Sequence, residues 1–187
     1  MKNIYIYISL LILVAIIVIV MAVNYFQLKN VIKRLYSTGV ICVNTTDYDN
    51  SFKGNNPGNI MWFGISDFTG ESGVTNGTPA TFNDVRNGIA AIGQQILIDY
   101  KKHGYTSVDQ IIGSYAPPID NDTASYVDSV LTFIQNGANI TLQPSSTVPD
   151  PSTNPLLLSS IIQGIIFNEN SITVPLTFIN YCLQNIS

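Results

Sequence analysis

The sequence is short of charge, histidine, cysteine and glutamate, and each shortage excludes something. Only 11% of its 187 residues are charged, against 46% hydrophobic ones, where an ordinary soluble domain carries about a quarter charged residues. With a mean hydropathy of +0.26, that depletion places part of the chain in lipid. Two cysteines, Cys42 and Cys182, make no disulfide scaffold. With a single histidine, His103, they cannot complete a zinc site of the usual kind. They have no CxxC spacing and read as apolar residues or free thiols. No metal or cofactor is expected. Bases are scarce where a nucleic-acid reader would need them. Residues 1–36 hold Lys2, Lys29, Lys33 and Arg34 and no acid, whereas residues 37–187 hold four bases against all 12 acids. A basic face cannot be built from that second part, which excludes nucleic acid as a partner.

What the sequence does have is one long apolar run. Ile4–Val23 is apolar apart from Ser9 and two tyrosines, and no charge falls between Asn3 and Leu28. About 20 such residues at 1.5 Å rise cross a hydrocarbon core of about 30 Å. A cleaved signal peptide has a shorter run and a small-residue cleavage site, and Asn24-Tyr25-Phe26-Gln27 offers none. The expectation is a retained, single-pass transmembrane helix over residues 4–26, continued by a juxtamembrane turn or two to residue 36. Lys29, Lys33 and Arg34 outweigh Lys2 and lean towards a cytosolic C-terminal side. Sequons at Asn44, Asn76, Asn121, Asn139 and Asn185 point the other way, but 19 asparagines produce several by chance.

Beyond the anchor, residues 44–82 are dense in Asn, Gly, Thr, Ser and Asp and read as loops with short extended pieces. Three helices follow. The first is capped at Asn83, repeats Val85, Ile89, Ile92, Ile96 and Tyr100, and stops at Gly104. The second opens at Thr106 and ends before Pro117-Pro118. The third begins near Asn121-Asp122, carries Tyr126, Val127, Val130, Phe133 and Ile134, and ends at Asn136-Gly137. Together they predict a small, mainly α domain over 37–143 with an irregular loop and short-strand lobe in front. Gln143–Pro155, with four prolines, reads as a stiff linker or surface strap. Residues 156–187 form an apolar tail, too short in its first run to cross a bilayer and closing on a helix over Leu176–Ile186. Eight large apolar side chains crowd its first twelve residues. A virion partner is the first expectation for what covers them, the home domain the second, and the membrane the third.

Little here carries obvious chemistry. No glycine-rich phosphate loop follows a strand and no nucleophile elbow is present. His103, beside the Gly104 stop, reads as a helix-dipole partner rather than a base. The glutamates are Glu71 and Glu169. Glu71 sits in the glycine-flanked turn Thr69-Gly70-Glu71-Ser72-Gly73, either projecting into a cleft as a general acid or solvated on a loop. Glycoside cleavage commonly pairs such an acid with a second carboxylate, for which Asp67 and Asp84 are the near candidates. The run Asn55-Asn56-Pro57-Gly58-Asn59-Ile60 forces a tight turn. Its amides suit sugar hydroxyls and acetamido groups.

That run, followed in order by Trp62, Gly70-Glu71, Phe82, Gly88-Ile89, Tyr100, His103-Gly104, Tyr115-Ala116-Pro117-Pro118, Asn121-Asp122-Thr123, Tyr126 and Val130, resembles a family of phage-borne, lysozyme-like virion proteins. The resemblance covers about residues 53–137. It implies an α+β lysozyme-like or transglycosylase-like fold and peptidoglycan as the substrate class. In that reading Glu71 and Asp67 are the catalytic pair, and Asn55, Asn56, Asn59, Trp62 and Tyr115 hold sugar. The chain departs from the family pattern twice, with Met61 and Ala90 where arginines are usual, and no glutamate precedes Glu71. Two functions are therefore expected in competition. One is a membrane-anchored virion protein cleaving peptidoglycan or a related cell-wall glycan. The other is a non-catalytic structural protein tying an internal virion membrane to the capsid, with the exposed domain facing the capsid. Its partners would be the membrane, capsid or other virion proteins, and cell-wall glycan if active.

Overall fold

A run of ten consecutive buried residues organises this molecule. A computed structural model describes Tyr48 and residues 51–184, which belong to a single compact unit. The transmembrane segment expected at residues 4–26 and its continuation to 36 lie outside the described residues. Among the described residues, no helix is long and apolar enough to cross a membrane. In chain order the elements are a helical turn at Lys53–Asn55, strands β1 (Met61–Trp62), β2 (Glu71–Ser72), β3 (Thr78–Pro79) and β4 (Thr81–Phe82), then five helices. These are α1 (Val85–Ile98), extended by a π-helical turn Asp99–His103, α2 (Val108–Tyr115), α3 (Thr123–Ala138), α4 (Pro155–Asn170) and α5 (Leu176–Leu183). The mainly helical architecture with short strands is what the capping residues, the apolar spacing and the polar stretch before them predicted.

Helix α4 is its centre. Asn154 caps it by accepting from Leu157 N, and Pro155 occupies the first turn, where its missing N–H costs nothing. Leu157 through Ile166 are all buried, because a helix that is apolar all round is stable only when surrounded. The expected apolar tail is therefore core. Six of its eight large side chains are enclosed by the home domain, leaving Leu156 and Phe167 partly exposed. That result corrects the ranking that put a virion partner first and joins residues 156–184 to the domain predicted at 37–143. The stripe of Ser160 and Gly164 explains how. A Cβ on Gly164 would sit 3.0 Å from the Val130 Cα, so the missing side chain lets α3 and α4 approach backbone to backbone. Gly137 faces Ser160 in the same seam, and α3 runs on through Asn136-Gly137 to Ala138, with Asn139 in the left-handed region as its cap.

The other helices follow their punctuation with small shifts. Asp84, not Asn83, is the α1 cap, accepting from Arg86 N at 2.8 Å. Ser107 rather than Thr106 precedes α2. Gly104, at φ 74°, ends the π-helical turn. The proline-rich stretch is a strap: Val148 N donates to Thr106 O at 2.8 Å, Asp109 N donates to Pro144 O at 3.1 Å, and the Val148 side chain is buried. Two antiparallel ladders make the front lobe, pairing Met61 with Pro79 and Glu71 with Phe82. A second small apolar cluster of Ala80, Phe82 and Ala91, with Trp62 and Phe68 against it, seats that lobe on α1.

Candidate active site

The turn at residues 53–60 is built to hold its shape. Asn55 and Asn59 take left-handed φ values of 55° and 51°, conformations asparagine tolerates better than most residues. Asn56 is buried, and its amide donates to Ile60 O at 2.8 Å and Ala80 O at 2.9 Å while its oxygen accepts from Ile60 N. Asn55 donates to Phe82 O at 3.0 Å. From the helical side, Tyr115 at the end of α2 donates its hydroxyl to Gly58 O, and a Cβ on Gly58 would strike both that hydroxyl and Ile92. Asn170, the last residue of α4, donates to Pro57 O at 2.6 Å. The lobe is thereby tied to α2 and α4 by polar groups whose loss would each leave a buried partner unsatisfied.

These ties leave a cavity of about 510 Å³ between turn and helix end, lined by Lys53, Gly54, Asn56, Asn59, Pro79, Ala80, Thr81, Glu169 and Asn170. Its volume is in the range of small-ligand sites. Among the described residues Glu169 is the only acid on its wall. Burial first of all pushes its carboxyl above the ordinary value, while hydrogen bonds from Tyr126 and Asn59 pull the other way. Tyr126, buried on α3, places its hydroxyl 3.0 Å from Glu169 Oε1 and 3.3 Å from Ile165 O. Tyr115 and Tyr126 are both held protonated, chiefly by their own burial and then by the charge of Glu169.

The residues expected to form the site divide. Asn56 and Asn59 line the cavity; Asn55, Trp62 and Tyr115 do not. Trp62 packs on Gly73 and into the small cluster under the lobe. Glu71 is buried in its own turn, its Oε2 accepting from Asp67 N at 2.8 Å and Phe68 N at 3.0 Å. Asp67 is exposed and borders a separate hollow with Phe68, Gln94, Leu97, Ile98, Lys101 and Lys102. Asp84 is engaged by Arg86, whose side-chain hydrogen bonds hold its carboxyl below the usual range against the upward pull of burial. None of Glu71, Asp67 and Asp84 lines the cavity beside the Asn-rich turn. The acid that lines it is Glu169, which sequence reading passed over. The available signal was a lone glutamate closing a long buried helix, immediately before a helix stop.

His103 Nδ1 lies 2.9 Å from Asp99 Oδ1 on the π-helical turn, and neither residue lines the cavity. Among the described residues no cluster of His, Cys, Asp and Glu could hold a metal ion. Compared with protein-family models the chain matches none, and no curated protein matches it.

Proposed function

We propose that this domain binds and cleaves peptidoglycan or a related cell-wall glycan, with Glu169 as proton donor in place of Glu71, on a membrane-anchored virion protein. One observation carries the reading. A carboxyl with raised proton affinity lines the same cavity as Asn56 and Asn59 of the turn, with Asn59 hydrogen-bonded to that carboxyl. A general acid must hold its proton until the glycosidic oxygen needs it, and burial gives Glu169 that property. Asn59, Thr81 and Asn170 line the same cavity; with their donors engaged on Glu169, Ser72, Pro57 and Ile166, their side-chain oxygens are what they offer to sugar hydroxyls or an acetamido N–H. In the proposed step the Glu169 proton passes to the leaving oxygen as the glycosidic bond breaks. Among the described residues no second carboxylate lines the cavity, so the anomeric carbon is captured by the substrate itself, either by its acetamido oxygen or by a hydroxyl whose proton passes back to the Glu169 carboxylate, a substrate-assisted route outside the two-carboxylate scheme. The apolar run 4–23 is the proposed membrane anchor, and a virion the proposed setting, on the strength of the sequence resemblance.

The second reading, a structural virion protein joining membrane to capsid, is favoured by the turn's heavy internal bonding, which stands without any ligand. Turbidity and zymogram assays on purified cell walls separate the two. Glu169→Gln should abolish lysis while Glu71→Gln retains it if the variant stays folded. Equal lysis by Glu169→Gln and the unmodified chain sinks the catalytic reading, and no lysis by the unmodified chain favours the structural one.

A further inference from the structure

Resting on that reading of the cavity, we infer that Lys53 is a specificity residue, selecting glycans that carry a carboxylate beside the bound sugar over neutral ones.

The domain is acidic, with Lys53, Arg86, Lys101 and Lys102 as its only bases beyond residue 36. Arg86 is committed to Asp84, and Lys101 and Lys102 border the hollow that Asp67 shares. Among the described residues Lys53 is the one base that lines the Glu169 cavity, and it forms no ion pair there. Its backbone is not free to swing away. Asn56 N donates to Lys53 O, Asn55 is tied to Phe82, and Gly54, at φ 64°, is pressed against Thr81. Lys53, an exposed residue, is therefore anchored at the rim of the same cavity that Glu169 lines.

Because Glu169 holds its proton more tightly than an ordinary carboxyl, it offsets less of the lysine's charge than an ordinary carboxyl would as pH falls. A neutral sugar is served by the asparagine and threonine groups alone. A cation at the rim gains only against an anion, through a charge-assisted hydrogen bond. The substrate class this fits is an N-acetylated glycan bearing acidic substituents, such as the lactyl ether of a muramic-acid residue, rather than an unsubstituted chitin-type chain.

The test measures dissociation constants of the full chain for two probes at low salt: a chitotetraose, and a tetrasaccharide alternating N-acetylglucosamine with N-acetylmuramic acid. The expected result is about a tenfold preference for the acidic probe, of the size one charge-assisted bond supplies. That preference should shrink as salt screens the pair. Lys53→Gln should bring the ratio of the two constants close to one, and Lys53→Glu should invert it. An unmodified protein with no preference, or a Lys53→Gln variant that keeps it, overturns the assignment of Lys53 while leaving the cavity as a glycan site. Failure of both probes to bind overturns the cavity reading and this inference together.

Discussion

At the scale of single residues, Tyr126 and Glu169 make the sharpest arrangement in the molecule. The phenol has one proton and two acceptors within reach, Ile165 O at 3.3 Å and Glu169 Oε1 at 3.0 Å. Burial favours the neutral carboxylic acid, and the bond from Tyr126 favours the anion. Tyr126→Phe removes the second influence and keeps the first, so the Glu169 carboxyl should titrate at still higher pH. Since a general acid works while protonated, the alkaline limb of the pH–rate profile should move upward with it. A carboxyl-carbon NMR titration of Glu169 reads the same displacement whether or not catalysis is measurable. An unmoved titration would show that the hydroxyl serves only Ile165.

At the scale of elements, the α3–α4 seam depends on side chains that are missing. Val130 stands where a Cβ on Gly164 would need to be, 3.0 Å from the Cα. Overpacked helices shift or adopt poor rotamers. Gly164→Val should therefore cost about 1–3 kcal/mol, read as a lowered midpoint of chemical denaturation. Gly113 in α2 is the comparison, because nothing lies within 4 Å of its added Cβ. Gly113→Ala should be neutral or stabilising by up to about 1 kcal/mol, the ordinary helix-propensity gain. Equal losses at both positions would mean that close approach to Val130 is not what sets the cost at Gly164. These helices were legible in outline from capping residues and apolar spacing, and misplacements of one or two residues followed from neighbours competing to cap. Asn83 and Asp84 both suit the role, and Asp84 holds it because its carboxylate takes Arg86 N and the Arg86 side chain together. Glu169 was not legible as a site residue. It becomes one only when α4 is folded back to place it against a turn more than a hundred residues earlier, a pairing no local spacing encodes.

At the scale of the whole molecule, the boundary drawn at residue 143 is where sequence and structure differ most. Four prolines and a polar stretch have the composition of a linker, yet Val148 and the Ser107–Thr147 bridge pin that stretch to the start of α2. The apolar run beyond it looked like a surface seeking a partner, because nothing local reveals that α1, α3 and α5 already surround it. The consequence can be weighed. Leu157, Leu158, Ile161, Ile162, Ile165 and Ile166 are buried. At about 1.5–3 kcal/mol for each enclosed side chain they contribute roughly 9–18 kcal/mol. A domain's entire net stability is about 5–15 kcal/mol. A chain ending at residue 143 should accordingly lose its cooperative thermal transition and bind a dye specific for exposed apolar surface, rather than persist as a folded core shorn of a tail. Adding a peptide of residues 144–187 in trans should restore part of the transition, since the seam is a helix–helix contact. If the shortened chain instead melts cooperatively near the temperature of the intact one, α4 is an accessory to a core that stands without it. Glu169 would then have to be a late addition to that core rather than part of the scaffold that forms the cavity.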